Sequence, residues 1–389
     1  MESLRIGMFS WESDYSVKVG GISPHVTNLA ETLAKKHEVH VFTRIGGGMG
    51  EYDKINGVHY QRCAHDLSYG IVHQMDRMCD AMVDRFHHVE DVFGKFDILH
   101  AHDWHPIIAL NELKKAKGLP YIFTFHSTEW GRNGNYHSGS NEYRDISHRE
   151  WLGGYESSEV IVTSENLKNE VKSIYQIPDY KLNIVPNGIF PGTMRKKVNA
   201  GKIKKDWGIH PLAPVVLYVG RMEHQKGPDL LVEAAPHVID HRWDARFIFA
   251  GEGGLRPMCE YKAEKLGVSH ACDFVGYVSN DDLVYLLNAC DIFCMPSRNE
   301  PFGIAALEAW DAGKPVIGTE AVSTIDNFVN GLKAYLYPES IAWCINNVID
   351  RPNVLREMGK KGRNDVESIY RWEKISHQTV DVYRKAMDR

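Results

Sequence analysis

Short apolar runs, rich in β-branched and aromatic residues, alternate along this chain with segments whose hydrophobic positions recur at helical spacing. Short apolar runs bounded by turn residues are typical of buried strands, whereas longer periodic segments predict helices. Clear helical patterns cover residues 25–36, 166–175 and 372–387. The predicted strands are residues 5–11, 38–43, 58–62, 97–101, 121–125, 159–164 and 182–186 in the first half, and 215–220, 246–251, 272–276, 291–297 and 315–319 in the second.

The order of these elements predicts the fold class. Continuously apolar strands that alternate with helices form parallel sheets covered on both faces, so we expect an α/β protein with two Rossmann-like, doubly wound domains. The break falls at PNGIFPGT (186–193), which is dense in Pro, Gly and Asn. We therefore place one domain at 1–190, a second at 191–368 and a terminal helix at 369–389. Ligands bind beyond the carboxyl ends of such strands, so two facing sheets predict a cleft.

Composition and charge narrow the function classes. The length of 389 residues suits two domains, and 43% hydrophobic with 25% charged residues is typical of a globular enzyme. The net charge is -6, because residues 1–190 carry 19 Lys and Arg against 25 Asp and Glu while the remainder has 26 of each. Nucleic-acid binders usually show a basic face, so we expect no such partner. We interpret the basic run MRKKVNAGKIKK (194–205) as a solvated connector rather than a phosphate-binding arm.

The sequence predicts neither export nor a membrane span. No run approaches the roughly 20 apolar residues that a span needs, and MESLRIGMFSW lacks the leader pattern of a signal peptide. The seven cysteines form no CxxC pair, and Cys290 and Cys294 accompany a strand-like run where thiols behave as small hydrophobes. We therefore expect a cytoplasmic protein without integral membrane association, and the oligomeric state, including a homo-oligomer, stays open.

The loop VGRMEHQKGPDLL (219–231) follows a strand and opens a helix at Gly227-Pro228. It carries Arg221 and Lys226, and two cations beside a helix N-terminus suit a diphosphate, since the helix amides and dipole add to their field. Arg pairs bidentately with phosphate and Lys acts as a point charge. Two unrelated surface cations are the alternative interpretation.

The stretch NEPFGIAALEAW (299–310) also joins a strand to a helix and places Glu300 and Glu308 eight residues apart. Pro301 suits the first turn of a helix, and Gly303 lets the backbone approach a ligand. The free amides of Phe302, Gly303 and Ile304 are then available to phosphate. Glu308 lies among Ala and Leu, where a carboxylate needs a partner. That partner is either the vicinal diol of a ribose or a Lys or Arg on a neighbouring helix.

Loops of the first half carry further candidates. Gly20-Gly21 join the first strand to the first helix but do not form GxGxxG, so a dinucleotide fingerprint is not supported. HAHDWH (100–105) invites a zinc interpretation, which we reject because no His or acid returns at helical spacing and HExxH is absent. His126 ends the fifth strand at the predicted cleft. GxSxG, the P-loop and a DxD-like metal pair are also absent, so we expect no metal in the chemistry and no cofactor.

In combination these motifs resemble the retaining glycosyltransferases of the GT4 family, which have the GT-B fold, and the related glycogen and starch synthases. The likeness extends from GGISPHV through HAHDWH, FHSTE, VPNGI, GRMEHQKGPDLL and FAGEGG to NEPFGIAALEAW and the WEKI helix. It implies that Arg221 and Lys226 bind the donor diphosphate. By the same resemblance Glu300 holds a donor-sugar hydroxyl, usually at C3, and Glu308 holds the nucleotide ribose. The terminal helix in such proteins usually crosses back onto the first domain.

The resemblance assigns the remaining site residues as well. The Phe302-Gly303-Ile304 segment matches amides that face sugar and phosphate, and Gly20 and Gly21 match the glycine loop beside the diphosphate and acceptor. His126 matches a histidine near the anomeric carbon and sugar O6, and Asp103 an acid lining the same pocket. The implied reaction is a front-face displacement that retains the α-configuration, in which the departing diphosphate takes the acceptor proton.

The resemblance specifies the substrates less closely than the fold and the reaction. FHSTEWGRNGN resembles the glucosyltransferases near glycogen synthase, so glucose, for instance from UDP-glucose, is the leading donor sugar, with mannose as the alternative. UDP, ADP and GDP, and a glucan, sugar-phosphate or small polyol acceptor, all stay open. Many relatives carry Gly-Gly and then an acid after the strand PVIGT, but TEAVSTIDNFVNG (319–331) places Ser323-Thr324 there. A catalytically weak nucleotide-sugar sensor is therefore one alternative function, and a GT-B epimerase is another.

Overall fold

The computed structural model describes residues 3–388, and these form two compact units. The first unit contains the chain up to Gly188 and again from Trp372 onward, and the second contains Ile189–Arg371. The sequence pattern placed the corresponding breaks after residues 190 and 368.

The first unit is built on one twisted sheet whose strands follow the order β3-β4-β2-β1-β5-β6-β7-β8 within the described chain. All neighbours run parallel except β3 and β4. The strands are β1 (Arg5–Phe9), β2 (Glu38–Arg44), β3 (Tyr52–Ile55), β4 (Val58–Cys63), β5 (Ile98–His102), β6 (Tyr121–Phe125), β7 (Glu159–Val162) and β8 (Leu182–Ile184). The helices between them are α1 (Ile22–Leu33), α2 (Ile71–Phe93), α3 (Ile107–Lys117), α4 (Glu129–Arg132), α5 (Asn141–Glu156) and α6 (Glu165–Tyr175).

Helices cover both faces of this sheet, and central strands such as β5 and β6 are buried on both sides. Leu99 and Ala101 of β5 belong to a buried cluster with side chains of α2 and α3. His100, between them, points the other way and bonds through Nδ1 to the Tyr383 hydroxyl at 2.9 Å. Alternate residues of one strand therefore belong to two different layers, as a doubly wound sheet requires.

The second unit has a sheet of parallel strands in the order β11-β10-β9-β12-β13-β14, again within the described residues. Its strands are β9 (Val215–Val219), β10 (Arg246–Ala250), β11 (Cys272–Gly276), β12 (Ile292–Met295), β13 (Val316–Thr319) and β14 (Gly331–Ala334). Its helices are α7 (Ala200–Asp206), α8 (Pro228–His241), α9 (Arg256–Lys265), α10 (Asn280–Ala289), α11 (Ile304–Asp311), α12 (Pro338–Val348) and α13 (Pro352–Ser368). The predicted fold class, two doubly wound parallel-sheet α/β domains, is confirmed.

The basic run 194–205 is more ordered than a solvated connector. It enters α7, where the Lys204 side chain is buried and its Nζ lies 2.7 Å from Asp291 Oδ2 and 2.8 Å from the Ala213 carbonyl oxygen. This cation therefore serves the packing of the second unit, and the solvated interpretation was wrong for it.

The last helix, α14 (Trp372–Met387), belongs to the first unit, where it packs on α1. Trp372 is 2% exposed and lies so close to Gly188 that a Cβ there would be 2.5 Å from the indole. No helix among residues 3–388 combines the length and apolar character needed to cross a membrane.

Candidate functional site

In the second unit, the loop after β9 carries both predicted cations. Arg221 is exposed, and its Nη2 donates to Gln225 Oε1 at 3.2 Å. Lys226 lies just before Gly227, which takes a left-handed φ of 63° and is followed by the first residue of α8. A Cβ on Gly227 would lie 2.1 Å from the Pro296 carbonyl oxygen, so only glycine allows the loops after β9 and β12 to approach this closely.

The structure brings Lys226 and Glu300 together. Glu300, in the loop after β12, is 7% exposed, and its Oε1 and Oε2 lie 3.0 and 2.8 Å from Lys226 Nζ. The Ser297 hydroxyl donates to Glu300 Oε2 at 3.1 Å. The buried carboxylate is thus neutralised by the same cation that the sequence assigned to a phosphate.

A second ion pair holds these two loops together, and the sequence did not indicate it. Arg298 donates to both carboxylate oxygens of Asp229, in the first turn of α8, at 2.8 and 2.6 Å. Burial alone would raise the pKa of Asp229, but the hydrogen bonds and charge of Arg298 outweigh it, and the pKa lies below its ordinary value. The Arg298 amide also donates to the Gln225 carbonyl at 2.8 Å. The loop of Arg221 and Lys226 is therefore fixed to the loop of Glu300.

The start of α11 presents unpaired backbone donors. Gly303 caps the helix with a φ of 92°, and Phe302 is 3% exposed against the Tyr370 ring. No group in residues 3–388 accepts a hydrogen bond from the amides of Phe302, Gly303 or Ile304. Thr324 stands where the resemblance implies a glycine, and its hydroxyl donates to the Phe302 carbonyl at 3.5 Å. The departure in sequence thus lies directly against this segment.

Glu308 lies in the second turn of α11 and is partly buried. Burial raises the pKa of its carboxyl to about 7. Within the described part of the chain this carboxyl has no ion pair or hydrogen bond, which removes the alternative of a Lys or Arg on a neighbouring helix. The Glu308 carboxyl is therefore free to accept hydrogen bonds from a ligand, and it changes charge near pH 7.

In the first unit, the glycine loop is held by a buried acid that the sequence analysis missed. Glu12 is 2% exposed, and its Oε2 accepts from the amides of Val19 and Gly20 at 2.6 and 2.8 Å. Burial raises the Glu12 pKa, against the effect of these amides. Gly21 then precedes α1, and a side chain cap is absent there. The Glu12 carboxylate thus holds the Val19-Gly20 part of the loop.

Asp103 and His126 also lie together. Asp103 follows β5 with a left-handed φ of 59°, and its Oδ1 accepts from the His126 amide at 3.0 Å. Burial raises the Asp103 pKa, opposed by Arg132, whose Nη1 is 3.6 Å from Oδ2. His126 is partly exposed, and burial lowers its pKa to about 3, so the imidazole is neutral at physiological pH.

Arg132 connects this pair to a buried acid. It bonds to Glu150, which is 0% exposed, and its Nε donates to Glu129 Oε2 at 2.9 Å. Glu150 also accepts from the Tyr175 hydroxyl. Burial raises the Glu150 pKa to about 7, against the charge of Arg132. These residues come from α4, α5 and α6, so no local motif marks them.

His126 also joins two other histidines. Its Nε2 lies 3.1 Å from His102 Nδ1, and one ring nitrogen each of His25, His102 and His126 lies within 4.8 Å of the others. This arrangement is able to hold a metal ion. From the sequence, zinc at HAHDWH was rejected because no partner follows at helical spacing. In the fold, the partners of His102 come from α1 and from the loop after β6.

Chemically, the two units offer different groups. The second unit has two cations, free helix amides and two carboxylates, which suit an anion and hydroxyl groups. The first unit has a neutral imidazole beside a buried acid, and a glycine loop. The individual roles predicted for Arg221, Lys226, Glu300, Glu308, Gly20, Gly21, Asp103, His126 and the 302–304 amides stay predictions.

Two family models match the chain. The model described as Glycosyl transferases group 1 covers residues 199–365, and that described as Glycosyltransferase Family 4 covers residues 19–191. The first of these segments lies in the second unit, and the other lies in the first unit apart from residues 189–191.

Curated relatives match over nearly their whole length. An uncharacterized glycosyltransferase of Methanocaldococcus jannaschii is 34% identical, covering 99% of both chains. The glycogen synthase of Mycobacterium tuberculosis is 28% identical, covering 98% of this chain and 95% of that protein.

Solved structures show the same fold. Sucrose-phosphate synthase of Thermosynechococcus elongatus superposes with a TM-score of 0.82 at 22% identity, covering 98% of each chain. Anabaena HepE in complex with UDP-glucose gives a TM-score of 0.77 at 16% identity, covering 98% of this chain and 99% of that one.

Proposed function

The chain belongs to the family 4 glycosyltransferases of the GT-B fold, and from this premise we propose that it transfers a hexose, glucose foremost, from a nucleoside diphosphate sugar to a hydroxyl group with retention of the α-configuration. Glucose is favoured by glycogen synthase among the relatives and by UDP-glucose in a protein of the same fold. The acceptor is a glucan, a sugar phosphate or a small polyol.

One observation carries the proposal, namely the convergence of Lys226, Glu300 and the free amides that open α11. Glu300 contacts Lys226 at 2.8 Å, and its Cγ lies 3.4 Å from where a Cβ of Gly303 would stand. A helix N-terminus beside a lysine is a site for an anion, and the carboxylate next to it is an acceptor for hydroxyl groups. A nucleoside diphosphate sugar carries both kinds of group, since its diphosphate is an anion and its sugar bears hydroxyl groups.

In this proposal the incoming donor rearranges the ion pair. The diphosphate binds Lys226 and Arg221, and a hydroxyl of the sugar donates a hydrogen bond to Glu300. Lys226 and Glu300, which pair with each other in the donor-free protein, thus each bind a group of the donor instead. Charge grows on the diphosphate as the glycosidic bond breaks, and cations and amides fixed in advance stabilise that charge without reorganisation. The same phosphate oxygen then accepts the proton of the acceptor hydroxyl.

His126 has a different role in the proposal. Because its imidazole is neutral, it donates or accepts one hydrogen bond without adding charge next to the anomeric carbon. Asp103 fixes the His126 backbone through the 3.0 Å bond to its amide. Glu308 accepts hydrogen bonds from the two ribose hydroxyls, so its carboxylate, which has no partner among residues 3–388 of the donor-free protein, gains two hydrogen bonds.

The first experiment is a donor screen. UDP-, ADP- and GDP-glucose and GDP-mannose are tested for thermal stabilisation, since a ligand at 100 times its dissociation constant adds about 2.7 kcal/mol. The stabilising donor is then incubated with maltooligosaccharides, sugar phosphates and polyols, and the anomeric configuration of the product is determined by NMR. A sensor binds a donor without turnover, and an epimerase returns a changed nucleotide sugar without an acceptor.

The second experiment removes the cations. Arg221→Ala and Lys226→Ala should each lower turnover about a hundred-fold or more, as the loss of a preorganised donor does in other enzymes. Lys265→Ala, an exposed lysine of α9, is the matched control and should leave turnover unchanged. Near-full turnover of the Arg221→Ala enzyme would contradict the proposed diphosphate role.

A further inference from the structure

Three histidines from separate elements converge in the first unit. His25 lies on α1, His102 is the last residue of β5 and His126 follows β6, with one ring nitrogen of each within 4.8 Å of the other two. We propose that this trihistidine site binds a divalent transition-metal ion, Zn²⁺ foremost. Imidazole nitrogens are ligands that zinc prefers, and three of them with one open position form a recognised coordination set.

The distances suit one ion. Two imidazole nitrogens on a tetrahedral zinc, each at about 2.0–2.1 Å, lie roughly 3.4 Å apart. His102 Nδ1 and His126 Nε2 are already 3.1 Å apart. The third nitrogen, from His25, has to approach by on the order of 1 Å, which small side-chain rotations supply. Binding replaces the hydrogen bond between His102 and His126 by two bonds to the metal, and the proton of that hydrogen bond moves to the other nitrogen of its own imidazole, so both ligands stay neutral.

A hydrogen bond to Asn187 fixes the His25 ring in the tautomer and orientation that a metal ligand needs. Its Nδ1 lies 2.7 Å from Asn187 Oδ1, and because an amide oxygen only accepts, Nδ1 carries the proton. Its Nε2 therefore keeps the lone pair that a metal needs, and the amide fixes the ring, as outer-shell partners of metal ligands do. His102 Nε2 makes no hydrogen bond within residues 3–388, so this nitrogen can carry the ring proton when Nδ1 binds the metal.

Access to the site is from the His126 side. His25 and His102 are 5% and 0% exposed, whereas His126 is partly exposed. An ion enters beside His126, and a water molecule completes its coordination there. The consequence rests on the proposed function: a metal on His126 Nε2 puts positive charge next to the anomeric carbon, where the proposed function requires a neutral imidazole. About one equivalent of Zn²⁺ should therefore inhibit transfer, and EDTA should restore it.

The binding experiment uses the full chain without any donor. After EDTA treatment and dialysis, Zn²⁺ is titrated in competition with a chromophoric chelator, and Co²⁺ is added separately as a spectroscopic probe. We expect one tight ion per chain and the strong visible absorption of four-coordinate Co²⁺. His25→Gln should weaken Zn²⁺ binding at least about 100-fold, and Asn187→Ala about 10–100-fold, because it acts only through His25.

The chain has 20 histidines, so weak surface binding needs a control. His148→Gln/His270→Gln removes two exposed imidazoles outside the site and should keep the tight ion. Absence of tight binding to the wild type, or equal affinity in His25→Gln, would show that the histidines form only a hydrogen-bonded core. Since no donor is present, this outcome is independent of whether the protein transfers a sugar.

Discussion

Glu308 should make donor binding depend on pH. In the donor-free protein, burial holds the pKa of this carboxyl at about 7. Bidentate pairing with a ribose diol favours the ionised form and lowers that pKa in the complex. The donor therefore has to displace a proton at low pH, and its affinity should rise through pH 7 and level off near pH 8.

The magnitude follows from the pKa. If only the ionised form binds, the apparent Kd is multiplied by one plus the ratio of protonated to ionised carboxyl. With a pKa of about 7, Kd should be about tenfold higher at pH 6 than at pH 8, or about 1.4 kcal/mol. Close to one proton should be released per donor bound at pH 6 and almost none at pH 8.

Isothermal calorimetry with UDP-glucose at pH 6, 7 and 8, in two buffers of different ionisation enthalpy, measures affinity and proton release together. The nucleotide sugar is used instead of free UDP because the terminal phosphate of UDP itself titrates near pH 6. A 2′-deoxy donor tests the diol directly, since it should lose affinity for the wild type but little for Glu308→Gln.

Glu308→Gln should bind more weakly at pH 8 and show no change between pH 6 and 8. Glu339→Gln, an exposed acid in the first turn of α12, is the control and should keep the wild-type slope. A wild-type affinity that is constant across this range, or a pH slope that survives in Glu308→Gln, would refute the ribose role.

Three further predictions concern the scaffold. Gly227→Ala should lower the free energy of unfolding by more than the roughly 1–2 kcal/mol that a left-handed backbone costs an alanine, because the new Cβ would clash with the Pro296 carbonyl. Gly208→Ala is the control, since Gly208 has a φ of 71° and no atom of residues 3–388 within 4 Å of a Cβ, so its variant carries only the backbone strain. Equal denaturation midpoints of the two variants would disprove the clash. Glu12→Gln should speed hydrogen exchange at the Val19 and Gly20 amides and not at α11, and unchanged exchange would show that Glu12 does not hold the loop. Burial holds the pKa values of four histidines well below 6.5, so unfolding takes up protons, and each histidine costs about 1.4 kcal/mol of stability per pH unit as pH falls below 6.5; the four are His25, His100, His102 and His105. Glu150 and Glu308, with pKa values of about 7, have the opposite effect on stability between pH 7 and 4.5. Because the histidines outnumber these acids, the denaturation midpoint should fall between pH 6.5 and 5, and a midpoint that does not fall would contradict this reasoning.

The sequence pattern located most strands because burial on both faces leaves a continuous apolar run. β6 and β11 match their predicted ranges residue for residue. β3 was missed, since YDKI is polar and exposed at the sheet edge. The signal that could have found it is Asn56-Gly57, whose φ values of 50° and 86° form the tight turn of a β3–β4 hairpin.

The sequence indicates candidate site residues only where several of them lie within one short segment, and their roles remain predictions. The loops after β9 and β12 supplied Arg221, Lys226 and Glu300 as candidates, and the helix that follows the second loop supplied Glu308. The pair Arg298–Asp229 joins positions 69 residues apart, and Lys226–Glu300 joins positions 74 apart. Only the register of the whole sheet decides such pairings, so local spacing carried no sign of them.

The position of α14 affects how the molecule can be made. In topological terms the second unit is an insertion into the first, and the chain resumes the first unit at Trp372, against Gly188. Domains usually fold in order as they leave the ribosome. Here Tyr383 of α14 covers His100, so the part of the first sheet that lies under α14 stays uncovered until all of the later unit has been translated.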